Sequence, residues 1–188
     1  MATGTGSPSL VRATLRLERA AGLDHVVRRL DPAVRRLVSD PARKRLLQGH
    51  VLGHAVHPVL TDYPYGAWVS ALVLDLTGGR GARDAATRLV GFGVLSAVPT
   101  ALTGWAEWSE ADRTTKRVGV VHAVVNAGAV VLYTASWVTR RRGAHTRGVG
   151  LGMAGGLATL VGGYLGGHMS LARKHATKDP AFEVRPGT

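Results

Sequence analysis

Four long stretches of the chain are almost free of charge, and they follow a front end of different character. Pro58 to Leu76 runs 19 residues, ionisable only at Asp62, Asp75 and two tyrosines. Leu89 to Trp105 runs 17 residues without a charge; Val118 to Val138 runs 21, with His122 near its start; Gly148 to Gly167 runs 20 and is rich in glycine. At about 1.5 Å per residue, a helix over each is about 26–32 Å long, close to the ~30 Å hydrocarbon thickness of a bilayer. One such run fits a buried core helix. Four, separated by short charged loops, fit membrane helices, because backbone at that depth must satisfy its own hydrogen bonds. The pattern predicts an all-α fold: an integral membrane four-helix bundle over residues 50–168, with spans at 58–76, 89–105, 118–138 and 148–167, and a polar tail over 169–188.

The flanks agree with that reading. Trp105 and Trp108 bracket the end of the second span and Trp137 closes the third, where interfacial aromatic residues belong. Gly148, Gly152 and Gly156 form a row at four-residue spacing on the fourth span, which suits close helix approach. Pro58 and Pro64 predict an irregular entrance to the first. Four spans put both termini on one side, together with the loop joining spans two and three. That side carries ten Lys and Arg before the first span, three at Arg113–Arg117 and four after His168; the other carries three at Arg80–Arg88 and four at Arg140–Arg147. Arg43, Lys44 and Arg45 favour a multi-pass protein of the inner membrane with both termini cytoplasmic, against the pull of Arg140, Arg141 and Arg142.

Residues 1–49 form a basic arm. Ser7-Pro8, Asp31-Pro32 and Asp40-Pro41 each place a capping residue before a proline suited to a first helical turn. Leu23, Val27, Leu30, Val34 and Leu37 recur at helical spacing, with Arg28, Arg29, Arg35 and Arg36 interleaved. The arm is expected to be helical and amphipathic, with two fates open to it: adhesion to membrane lipid, or packing on the loops of its own chain. No apolar core of a signal peptide stands in the first 20 residues. The net charge of +12 invites a nucleic-acid reading, but the charge lies beside membrane spans without stacking aromatics, so no nucleic-acid partner is expected.

Chemistry is narrowed by what is absent. The chain has no cysteine, which excludes disulfides, a thiol nucleophile and iron–sulfur ligation by this chain. No metalloprotease helix, P-loop, serine elbow or dinucleotide-binding turn is present, so a soluble-type enzyme is not expected.

The uncommon residues converge instead. In helices of alternating direction, the starts of odd spans and the ends of even ones share a membrane face. His50, His54 and His57, with Asp62, lie around the start of span one, Glu107 beyond the end of span two, His122 at the start of span three and His168 past span four. On one continuous helix His50, His54 and His57 would share a side. Ser96, Thr100, Thr103 and Glu107 make a polar seam on span two; His122 and Asn126 stand one turn apart, as do Tyr164 and His168. His25, His145 and His175 lie in arms or loops. Ionisable groups at membrane depth face the bundle interior and suggest function, whereas Ser, Thr and Asn there also serve as interhelical glue.

Three chemistries fit. Haem b iron can be held by His57 with His122 or His168. Three imidazoles, His57, His122 and His168, with Asp62 or Glu107, can hold zinc or non-haem iron. The same groups can carry protons or pass a small solute, or the protein can be a structural subunit without cofactor. In the cofactor readings Asp62, Thr103, Glu107, Asn126 and Tyr164 orient the ligands.

The run Gly53-His54-Ala55-Val56-His57-Pro58-Val59-Leu60-Thr61-Asp62-Tyr63-Pro64-Tyr65-Gly66-Ala67-Trp68, with Leu74-Asp75-Leu76 behind it, resembles the opening motif of a membrane-protein family, domain of unknown function 2231. Pro99-Thr100-Ala101-Leu102-Thr103-Gly104-Trp105, Val121-His122-Ala123 with Asn126, and Gly162-Gly163-Tyr164-Leu165-Gly166-Gly167-His168 are similar to its later motifs, so the likeness covers about residues 47–170. The resemblance implies a four-helix integral membrane domain and carries over His54, His57, His122 and His168 as cofactor positions. Some similar proteins continue into a Rieske-type domain, which implies electron transfer. Since this chain lacks cysteine, the resemblance implies an iron–sulfur redox partner on a separate chain.

Overall fold

A computed structural model describes residues 7–173. Among these residues there is no strand; seven α-helices follow in order as α1 (Ser9–Arg19), α2 (Asp24–Leu37), α3 (Pro41–Leu47), α4 (His57–Thr77), α5 (Arg83–Trp108), α6 (Arg113–Arg141) and α7 (His145–Gly167). A π-helical turn, His168–Ala172, continues α7.

The arm is helical, as its periodicity predicts. Asp40 caps α3, its carboxylate accepting the Arg43 backbone N–H at 2.7 Å with Pro41 directly after it. Pro8 immediately precedes α1, but Ser7 makes no side-chain cap. The third start, at Asp31-Pro32, is not one: Pro32 lies inside α2. Asp31 is engaged instead by Lys116 of α6 at 2.8 Å and by Arg35 at 2.6 Å, while the proline removes one backbone hydrogen bond from the helix.

The arm packs on helices of its own chain. α1 and α2 lie against α6, and α2 and α3 against α5. Val34 joins Trp108 and Val120 in a small core, with Val27, Leu30 and Trp105 packed around it. The arginines do not make this contact. Arg12, Arg16, Arg19, Arg28, Arg29, Arg35, Arg36, Arg43 and Arg45 are all exposed.

Between arm and α4 the chain turns twice through the left-handed region, at Gly49 (φ 71°) and Gly53 (φ 74°). A Cβ at Gly49 would also stand 2.5 Å from the His54 carbonyl oxygen. His50 therefore sits on a separate 3₁₀ turn and α4 begins only at His57, so His50, His54 and His57 do not share one helical side. α4 then runs through Pro64 without interruption, and the irregular entrance expected there is not formed.

Three stretches are long and apolar enough to cross a membrane: Arg80–Trp108, Arg113–Arg141 and His145–Ala172. They contain the second, third and fourth expected spans. The first expected span is the 21-residue α4, which falls outside this group because Thr61, Asp62, Tyr63, Pro64 and Tyr65 crowd its first half.

The helices bury small residues and show large ones. Val69 and Leu76 on α4, Phe92, Leu95 and Val98 on α5, Val124 and Val131 on α6, and Leu157 and Leu160 on α7 are exposed. The interior holds Ala71, Ala86, Val90 and Ala129, with Trp68 stacked on Tyr133 at 3.9 Å between ring centroids. Such an apolar exterior suits lipid as the solvent. α4 packs chiefly on α5 and α6 on α7, with α5–α6 and α4–α7 contacts joining the pairs. The Gly148, Gly152 and Gly156 row faces Arg140, Ser136 and Tyr133 of α6, as the close-packing reading of that row expects.

Candidate functional site

α4 starts at His57, and Pro58 in its first turn costs it no backbone hydrogen bond. The His57 ring reaches α5, where Nδ1 lies 2.8 Å from the Thr100 carbonyl oxygen. A carbonyl only accepts, so Nδ1 carries the proton, and in the neutral ring Nε2 keeps its lone pair. Thr103 supports the contact: its Oγ1 donates to the same Thr100 carbonyl at 2.8 Å and stands 3.4 Å from Nδ1. Thr100 in turn donates from Oγ1 towards the carbonyls of Leu60 at 3.0 Å and Ser96 at 2.9 Å.

His122 on α6 repeats the arrangement towards α7. Its Nδ1 lies 2.9 Å from the Gly162 carbonyl oxygen, again directing the proton to Nδ1 and the lone pair to Nε2. Asn126, one turn on, donates from Nδ2 to the His122 carbonyl at 2.8 Å and sits 3.3 Å from both ring nitrogens. The rings of His57 and His122 meet edge to face, with centroids 6.4 Å apart and planes at 79°.

Glycine makes these seats. A Cβ at Gly104 would stand 2.8 Å from His57 Cε1, and one at Gly162 would stand 2.5 Å from Asn126 Oδ1. The glycines of the Gly162–Gly167 stretch thus admit polar side chains from α6 as well as letting helices approach.

The other expected site residues lie elsewhere. His54 is exposed before α4, its Nδ1 3.1 Å from the Ala55 carbonyl oxygen. Asp62 is exposed on the outer side of α4. Glu107 is buried on α5, one turn beyond Thr103. Tyr164 turns towards the arm, where its hydroxyl meets Thr14 Oγ1 at 3.3 Å. His168 also meets the arm: Nε2 is 2.8 Å from Glu18 Oε1, and Arg173 binds the same carboxylate. The structure therefore brings His57, His122, Thr103 and Asn126 together but not His168 or Tyr164. Among the described residues, no three His, Asp or Glu side chains gather closely enough to hold a metal ion. His175 lies outside the described residues.

Two polar clusters were not foreseen. In the first, the arm's carboxylates dock on the chain behind them. Asp24 receives Arg117 at 2.7 and 2.8 Å and Arg113 at 2.5 Å, while Arg117 also donates to the Glu18 carbonyl at 2.7 Å. Arg117 and Arg113 hold the Asp24 carboxyl well below the usual carboxylate range, Lys116 and Arg35 lower Asp31, and Arg173 with His168 lowers Glu18. A signal existed: Glu18, Asp24, Asp31 and Asp40 are the only acids in the first 49 residues, and Asp24 and Asp31 share the α2 face of Val27 and Val34. In the second cluster, at the far end of α4 and α6, Arg140 grips Asp75 at 2.8 and 2.6 Å, with His145 Nε2 3.2 Å from Asp75 Oδ1.

No curated protein and no solved structure matches the chain. Residues 53–179, a stretch that holds both imidazoles and both of their carbonyl acceptors, match the family model described as "Predicted membrane protein (DUF2231)", and the chain belongs to that family.

Proposed function

We propose that the protein is a four-span membrane protein in which His57 and His122 hold the iron of haem b, or another transition-metal ion, in a redox-linked role. The observation that carries this reading is the pair itself. Two imidazoles from different helices meet edge to face, and each has Nδ1 tied to a backbone carbonyl, which puts the lone pair on Nε2; at His122 the Asn126 amide 3.3 Å from that nitrogen would turn aside for a bound iron. This donor set fits an iron whose remaining ligands come from a porphyrin. It is one imidazole short of the zinc arrangement with His168, whose ring Glu18 engages. Bound haem iron would supply reversible one-electron transfer. Thr100 and Gly162 orient the rings, Thr103 and Asn126 brace them, and apolar helix faces keep bulk water away.

The fourth span in this reading is α4. His57 and Asp75 are 18 residues apart, as are His122 and Arg140, so α4 carries partners for α6 at two levels about 27 Å apart. Its outer face is apolar at Val69, Leu72, Val73 and Leu76. Arm and α7 meet through Glu18 and Arg173, which supports both termini on one side; the Arg43–Arg45 run supports the cytoplasmic side of an inner membrane, with an iron–sulfur protein on a separate chain as redox partner.

A structural subunit without cofactor is the second reading. It is favoured by the seam hydroxyls, all of which donate to backbone carbonyls: Thr100 crosses to Leu60 on α4 as interhelical glue does, while Ser96 and Thr103 donate back into α5.

The test is an oxidised-minus-reduced visible spectrum of detergent-purified protein from cells supplied with haem, with metal analysis of the same sample. The expected result is a Soret band that shifts on reduction, is lost in His57→Ala and in His122→Ala, and survives in His168→Ala. Stoichiometric iron without a Soret band would move the pair to a non-haem centre. A colourless, metal-free protein would overturn the cofactor reading.

A further inference from the structure

At the end of the helices remote from the imidazole pair, α5 and α6 leave a groove of about 670 Å³ open to the outside. Its rim is cationic. Arg88 on α5 and Arg141 on α6 are both exposed, and neither hydrogen-bonds to or ion-pairs with any described residue. Arg140 backs the groove with its guanidinium already committed to Asp75, and the exposed Asp84 is the one acid in the rim. Below the rim the walls turn apolar at once. Phe92 and Leu95 stand one and two turns down α5 from Arg88 and are 51% and 63% exposed. Trp137 stands one turn below Arg141, which lies over its indole ring at 5.7 Å. The floor is flat because a Cβ at Gly91 would lie only 2.6 Å from the Trp137 ring, so the indole is laid directly across α5.

Two neighbouring helices thus present the same order: an arginine with no acidic partner among the described residues, then aromatic and aliphatic surface further along the helix. We propose that this groove binds the phosphate of an anionic phospholipid, with Arg88 and Arg141 on the headgroup and Phe92, Leu95 and Trp137 along an acyl chain. Charge complementarity selects the headgroup, since two guanidinium groups that make no ion pair with a described residue outweigh one carboxylate, and an arginine lying over an indole keeps its N–H donors for phosphate. The apolar walls select lipid over a free anion, because Phe92 and Leu95 lie on the lipid-facing side of α5, a stretch long and apolar enough to cross a membrane. A zwitterionic lipid brings its own ammonium and gains less from a cationic rim. The inference is independent of the imidazole pair.

Native mass spectrometry of the detergent-solubilised full chain, titrated with phosphatidylglycerol or phosphatidylcholine, reads the site. The wild type is expected to retain one phosphatidylglycerol that Arg88→Gln/Arg141→Gln binds about tenfold or more weakly, while Arg28→Gln/Arg29→Gln on the exposed face of the arm keeps it. A second measurement needs no arginine variant. Phosphatidylglycerol with brominated acyl chains, in nanodiscs, should quench a component of tryptophan emission missing from Trp137→Phe, and millimolar inorganic phosphate should leave that quenching unchanged. Equal retention of phosphatidylcholine, unaltered phosphatidylglycerol binding in the folded double variant, or displacement by inorganic phosphate would each overturn the proposal.

Discussion

Asp75 and Arg140 form a two-point ion pair in which each side chain is only 2% exposed, and they do so at the opposite end of α4 and α6 from His57 and His122. The pair extends sideways. Arg140 Nε donates to Ser136 Oγ at 3.1 Å, and that hydroxyl donates to the Gly148 carbonyl at 2.6 Å, so α4, α6 and α7 are joined by one chain of contacts. Removing one partner of such a pair strands a charge where water does not reach. Asp75→Asn or Arg140→Met is expected to lower stability by about 3–5 kcal/mol, and Asp75→Leu/Arg140→Met by clearly less than the two single losses together. Unfolding titrations in mixed micelles measure all three; additive losses would mean that the two side chains act separately.

The chain's lack of cysteine makes topology directly readable. With α4 as a span, single cysteines at Arg80 and Ala144 should react with a membrane-impermeant maleimide from the same side, and Ser39→Cys only from the other. If α4 lies along the membrane instead, Arg80→Cys will label together with Ser39→Cys.

Glycine positions split into two kinds with opposite expectations. A Cβ at Gly162 meets the Asn126 side chain at 2.5 Å, whereas one at Gly150 meets nothing within 4 Å. Gly162→Ala should therefore push Asn126 off His122 and lower stability by about 1–3 kcal/mol, while Gly150→Ala stays within about 0.5 kcal/mol of wild type. Thermal denaturation in detergent compares them, and equal midpoints would count against the seating role given to Gly162.

Docking of the arm should depend on acid. Asp24, Asp31 and Glu18 have carboxyl groups lowered by their cationic partners, so the folded state holds them ionised further into acid than the unfolded chain does. Their contribution is fully present above the ordinary carboxylate pKa of about 4 and is lost as pH falls through the lowered values. Amide exchange across α2, corrected for its intrinsic pH dependence, should stay slow from neutrality to about pH 5 and rise in stronger acid. Asp24→Asn should raise exchange already at neutral pH. An arm as protected in strong acid as at pH 7 would show that its apolar contacts alone hold it.

Local pattern was enough for the helices themselves. Charge-free length predicted four spans, and the stretches holding the last three are long and apolar enough to cross a membrane. Of the three capped starts expected, the one at Asp40-Pro41 is formed as read. Four-residue glycine spacing marked α7 for close packing without naming the helix it meets. The ordered His, Asn and Gly motifs were legible too, and they named the family. What the sequence left open was which of the converging groups meet. Alternating helix direction puts His122 and His168 at the same end as His57 without choosing between them; in the fold one meets His57 while the other is taken by Glu18, 150 residues earlier. Partner choice of this kind rests on how each helix is rotated about its axis and on its vertical register. Those are set by contacts between helices, such as Gly104 against His57 and Gly162 against Asn126, and by the left-handed turns at Gly49 and Gly53 that start α4 at His57. Carboxylates such as Glu18 and Asp24 were readable as acids in a basic arm, but only the tertiary structure paired them, because an ion pair between distant segments leaves no period in the sequence.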